Sequence, residues 1–146
     1  MRVLFCGFDG VLHPRDAARV PFGIAPTRLF EWVDVLAALL APHPETFVVV
    51  HSAWRHEFAP MELAPALGPI AGQWLGCVPP GPTHPAILAW LARNPTVDTY
   101  RVLDDDPRQF PDPPPPQLLL CHPNTGVHEA RVQRQLRAWL HGAPDA

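Results

Sequence analysis

Arg2-Val3-Leu4-Phe5-Cys6-Gly7-Phe8-Asp9-Gly10-Val11-Leu12-His13 is the stretch from which the rest of the chain is read. Residues Arg2 to Cys6 are a short β-type apolar run, and the run stops in a glycine-bearing turn, Gly7-Phe8-Asp9-Gly10. An acid set directly after an apolar strand is held at a strand end, where a site is built rather than a core. A proline-rich loop follows as far as Pro26.

Outward from that strand, apolar runs alternate with helical patterns. Thr27 is positioned to cap a helix over Arg28 to Leu40, with Leu29, Trp32, Val33, Leu36 and Leu40 on one face and Pro42 and Pro44 beyond its end. Phe47 to Val50 is a near-continuous β-branched run, the pattern of a strand buried on both faces. A loop and helix are expected from Ser52 to about Leu67, then a strand over Trp74 to Val78. A helix over Pro85 to Arg93, capped by Thr83, turns Ile87, Trp90 and Leu91 inward. Tyr100 to Leu103 predicts a fourth strand running into Asp104-Asp105-Asp106, and Leu118 to Cys121 a fifth. Val127 to Leu140 predicts a last amphipathic helix through Val132, Leu136, Trp139 and Leu140.

Strands separated by helices require right-handed crossovers and a parallel sheet covered on both faces, so the fold class is α/β, a three-layer α/β/α sandwich. The expected strand order is 3-2-1-4-5 with Arg2 to Cys6 in the centre. Asp9, Ser52 and Asp104/Asp105 then converge at the carboxyl ends of the strands, where open α/β sheets bind their ligands.

Composition narrows the chemistry. The chain has 146 residues and a formal net charge of −3, a length that fits one domain, 1–146. All 11 basic residues are arginine, which excludes a P-loop lysine and a Schiff-base lysine. Ser52 is the single serine, whereas proline reaches 21. No apolar run has the roughly 18 residues of a membrane span, and the N-terminus lacks a signal-peptide layout, so a cytoplasmic protein with no membrane partner is expected. Cys6, Cys77 and Cys121 read as buried thiols, not as a disulfide or zinc framework.

The segment Val3 to Pro14 resembles the first motif of the haloacid dehalogenase-like (HAD) hydrolases, apolar residues followed by Asp-x-Asp-Gly-x-Leu. Val48-Val49-Val50-His51-Ser52-Ala53-Trp54-Arg55 is similar to the second motif, in a Ser-x-Trp-Arg form. Val102-Leu103-Asp104-Asp105-Asp106 is similar to the acidic fourth motif, and Asn124-Thr125-Gly126-Val127 resembles a turn before the last helix. Together, over Arg2 to about Leu140, they resemble the HAD domain associated with Swiss Army knife RNA repair proteins.

The resemblance implies a Rossmann-like hydrolase fold, here without a cap domain, and phosphatase chemistry. In that chemistry a first aspartate attacks a phosphoryl group and a second, two residues on, acts as acid and base. The alignment puts the acid/base at Asp9 and the nucleophile position at Gly7, which has no side chain to attack with. Ser52, Arg55 and His84 are the phosphate-binding candidates, His84 standing where the family's lysine is expected. Asp104 and Asp105, with the carbonyl or side chain of Asp9, are left to hold magnesium, so its binding is expected to be weak or lost.

The resulting expectation is a pseudoenzyme with weak or no phosphatase activity that keeps a phosphorylated ligand or a protein partner. The alternative is an active magnesium-dependent hydrolase of phosphate esters or nucleic-acid ends that uses another nucleophile or metal-activated water. The acidic balance weakens the nucleic-acid version. An aspartate at position 7 is expected to aim its carboxylate into the crevice shared with Asp9 and Asp104 and to need no further repositioning.

Overall fold

The computed structural model describes residues 1–19 and 28–142; the expected cap Thr27 and the loop up to Pro26 fall partly or wholly outside them. Five strands are formed: β1 (Arg2–Cys6), β2 (Thr46–Val50), β3 (Trp74–Cys77), β4 (Thr99–Asp104) and β5 (Leu118–Leu120). They make one parallel sheet in the order β3-β2-β1-β4-β5, with the register Arg2↔Thr46 on one side of β1 and Arg2↔Thr99 on the other.

The central strand has no polar face, because alternate side chains enter two cores. Leu4 and Cys6 pack with Val48, Val50 and Leu103 beneath α1 (Val33–Leu40) and α4 (Ala130–Leu140). Val3 and Phe5 pack with Val49 and Val102 against Ile87 of α3 (Thr83–Arg93). This two-sided burial explains why β1 and β2 read as continuous apolar runs. Truncating one such side chain, for example Leu36→Ala, removes contacts worth about 2–5 kcal/mol.

Four helical segments differ from the sequence expectation. The first helix starts at Val33, not Arg28, because tertiary bonds capture the residues before it. The Phe30 N–H donates to His13 Nδ1 at 3.1 Å, the Trp32 N–H donates to the Leu12 carbonyl, and Phe30 has a φ of 57°. After Ser52 the chain breaks into short pieces: a 3-10 turn over Ala53–His56, α2 (Pro60–Leu63) and a 3-10 stretch over Ala64–Gln73. Pro65, Pro69 and Gly68, at φ 48°, prevent one continuous helix there. Thr83 is the first residue of α3 and Pro82 its cap, and α4 begins at Ala130 after a 3-10 turn over Gly126–His128. That turn needs glycine: Gly126 has a φ of 48°, and a Cβ there would enter the Val11 carbonyl and the Trp32 ring.

Candidate functional site

The carboxyl ends of β1, β2 and β4 open into a cleft of about 390 Å³. Gly7, Asp9, Arg15, His51, Ser52, Arg55, Asp104 and Asp105 are among the residues that line it. Each carboxylate in the cleft has a distinct environment.

Asp9 stands on a loop closed by bonds from the Gly10 N–H to the His13 carbonyl and from the Val11 and Leu12 N–H groups to the Phe8 carbonyl. His13, fully buried, faces Asp9 Oδ1 with Nε2 at 2.7 Å. The other ring nitrogen accepts from the Phe30 N–H, so the neutral ring carries its proton on Nε2 and donates it to Asp9. The Trp54 indole N–H lies 3.2–3.3 Å from both carboxylate oxygens. Burial pushes the Asp9 carboxyl up, but the His13 and Trp54 bonds and the Arg15 charge outweigh it and hold the group below the usual aspartate range. Asp9 is therefore a fixed, ionised acceptor.

Asp105 is paired with Arg15. The guanidinium engages both carboxylate oxygens, with Nε 2.6 Å from Oδ2, and this bond raises the Arg15 pKa further. The carboxylate packs against Gly10, which has a φ of 72° and no room for a Cβ beside the Asp105 oxygens. Sequence reading missed this pair because Arg15 sits in an aperiodic loop. The one available signal was composition: in a chain without lysine, any fixed cation near a strand end has to be an arginine or the amino terminus.

Asp104 and His51 form a third unit. His51 is buried, donates from Nε2 to the Leu103 carbonyl at 3.0 Å, and turns Nδ1 toward Asp104 Oδ2 at 3.5 Å. Burial lowers its pKa to about 4. Burial likewise raises Asp104 to about 7, with the Asp105 charge adding to the rise and a bond from the Asp106 N–H opposing it.

Gly7 is less open than the sequence implied. A Cβ there would lie 3.3 Å from both His51 Cε1 and the Leu103 carbonyl oxygen, so a longer side chain requires the imidazole to move. This corrects the expectation that an aspartate fits without repositioning.

The phosphate-binding candidates separate. Ser52 lines the cleft with Oγ accepting from the Trp54 N–H. Arg55 also lines it, but it gives Nη1 to the His51 and Ser52 carbonyls, Nε to Pro79 and Nη2 to Gly81, so its work is to hold two loops together. His84, on α3, is not among the residues lining the cleft: its ring packs edge-on against Phe110, 5.7 Å between centroids. The Phe8, Asp9 and Ser52 N–H groups, by contrast, have no acceptor among the described residues.

The side chains expected to hold magnesium are largely engaged elsewhere. The ion requires near-octahedral oxygen ligation. Position 7 supplies no carboxylate, Asp105 is consumed by Arg15, and Asp9 is held by His13 and Trp54. Among the described residues, no three carboxylate, imidazole or thiol groups converge closely enough to hold an ion. Asp104, Asp105 and Asp9 share one cleft without forming a cation shell.

No helix among the described residues is long and apolar enough to cross a membrane. No curated protein and no solved structure matches the chain. A family model does match, over residues 3–132, from the first residues of β1 to the first turn of α4. With the parallel sheet, its strand order and the strand-end cleft already established, that span places the chain in the family described as the HAD domain in Swiss Army Knife RNA repair proteins.

Proposed function

We propose that this domain holds a phosphoryl-bearing ligand in the strand-end cleft and does not turn it over through an aspartyl phosphate. One observation supports the reading: Gly7, which the motif resemblance sets at the nucleophile position, carries no side chain, and the space beside it is taken by the His51 ring and the Leu103 carbonyl. Without that carboxylate there is no group to form the covalent intermediate, and losing one member of such a catalytic unit costs several orders of magnitude in rate. Retention of a ligand is supported by the N–H groups of Phe8, Asp9 and Ser52, by the Ser52 hydroxyl and by Arg15, which lines the same cleft. A reducing cytoplasmic setting belongs to the same reading, supported by the three free thiols.

The test pairs binding with turnover. Inorganic phosphate titrated into the isotopically labelled chain is expected to shift the amide signals of residues 7–10 and 52–53 saturably. Hydrolysis of an aryl phosphate with magnesium present stays at the no-enzyme rate. Hydrolysis that follows Michaelis kinetics and disappears with Asp9→Asn overturns the reading in favour of an active phosphohydrolase. The absence of any saturable shift removes the ligand.

A further inference from the structure

Carboxylates gathered in one half-buried crevice repel each other, and a cation placed among them offsets that repulsion. Asp9, Asp104 and Asp105 reach such a crevice here; Arg55 gives its donors to backbone carbonyls, and the cation that pairs with a cleft carboxylate is Arg15. Its guanidinium takes Asp105 as a two-pronged pair, and its charge acts on Asp9 and Asp104 as well. A guanidinium suits this placement, being planar, permanently charged and shaped to grip both oxygens of a carboxylate.

The side chain is anchored at both ends. The Arg15 N–H donates to the Pro123 carbonyl at 3.0 Å, fixing the backbone to the loop before α4. At its tip, the absence of a side chain on Gly10 lets the Asp105 carboxylate sit directly against the Asp9 loop. The pairing uses Nε and Nη2, which leaves Nη1 without a protein partner among the described residues on a side chain that lines the cleft. A divalent ion that recruited Asp105 would have to break the pair and then sit beside the displaced positive charge. Both steps oppose it.

We propose that Arg15 is the built-in cation of this cleft, replacing a divalent metal: it keeps such ions out, and a phosphoryl ligand binds without one. The ligand half of this inference rests on the function proposed above; the metal half stands on the carboxylates and Arg15 alone.

Two titrations on the full chain test it. Inorganic phosphate is titrated by calorimetry in EDTA and again in excess magnesium, and the two affinities are expected to agree within about twofold. Manganese is titrated into the wild type and into Arg15→Gln. Release of Asp105 is expected to tighten manganese binding by about tenfold or more, roughly the difference made by one additional carboxylate ligand.

A wild-type phosphate affinity that rises about tenfold with magnesium overturns the proposal and leaves the phosphoryl-binding function standing. Equal manganese binding by the wild type and a folded Arg15→Gln overturns it too. If phosphate binds in neither buffer, the proposed function falls and the ligand half of the proposal with it. If Arg15→Gln does not fold, the comparison of wild-type phosphate binding with and without magnesium decides, since it requires no variant.

Discussion

His51 and Asp104 pull the stability of the protein in opposite directions as pH changes. Burial depresses the imidazole from its ordinary 6.5 to about 4, so between those values the unfolded chain takes up a proton that the folded one refuses. Stability from His51 is full above 6.5 and is lost as pH falls toward 4. Burial raises the Asp104 carboxyl from 3.8 to about 7, so over nearly the same interval the folded chain keeps a proton that the unfolded one releases. Stability from Asp104 is full below 3.8 and is lost as pH rises toward 7. Side by side, with Nδ1 and Oδ2 3.5 Å apart, the two trends offset each other. Urea unfolding of the wild type is therefore expected to change little between pH 4 and 6.5. Asp104→Asn exposes the imidazole and makes stability fall with acid across that window, whereas His51→Gln exposes the carboxyl and makes stability fall with base. Parallel pH trends in the two variants would show that the groups do not offset one another.

Among the elements, the loops after β2 and β3 depend on one side chain. Arg55 donates to the carbonyls of His51 and Ser52 on the first loop and of Pro79 and Gly81 on the second. The Gly81 N–H adds a bond to His56 Nε2. These loops have little helix of their own, since prolines at 79, 80 and 82 remove backbone donors. Arg55→Ala leaves partly buried carbonyls without donors and is expected to lower unfolding stability by about 2–4 kcal/mol. Arg55→Lys recovers less than half of that, because an ammonium has three donors at a single point and cannot span both loops. Hydrogen exchange provides the local check: amides near Gly81 lose protection in both variants. A loss below about 0.5 kcal/mol in Arg55→Ala, the usual range for surface changes, would mean that the loops are held by other contacts.

At the scale of the whole molecule, Cys6 lies in the centre of the sheet and Cys121 beneath α4, both buried, with burial pushing each thiol far above its ordinary range. Neither reacts without extensive opening. With a disulfide reagent in excess, Cys6 and Cys121 are expected to label at least about 10³-fold more slowly than in urea, in proportion to the globally unfolded population. Fast labelling of Cys6 under native conditions would reveal a sheet that opens locally. The strands and the positions of Asp9, Ser52 and Asp104 at their ends were legible in the sequence because two-sided burial leaves apolar runs that stop sharply. The start of α1 was not, since Phe30 and Trp32 answer to His13 and Leu12 across the fold. The partners of Arg15 and Arg55 were also out of reach, one being 90 residues away and the other a set of carbonyls that carry no sequence signal. The strand order also sets a timetable. Arg2 of β1 pairs with Thr46 on one side and Thr99 on the other, so at ordinary rates of synthesis the second partner emerges about 3–10 s after the first. For those seconds the central strand of the sheet presents an unpaired edge, and its chance of meeting another nascent chain is measured by the ribosome's clock rather than by any property of the finished fold.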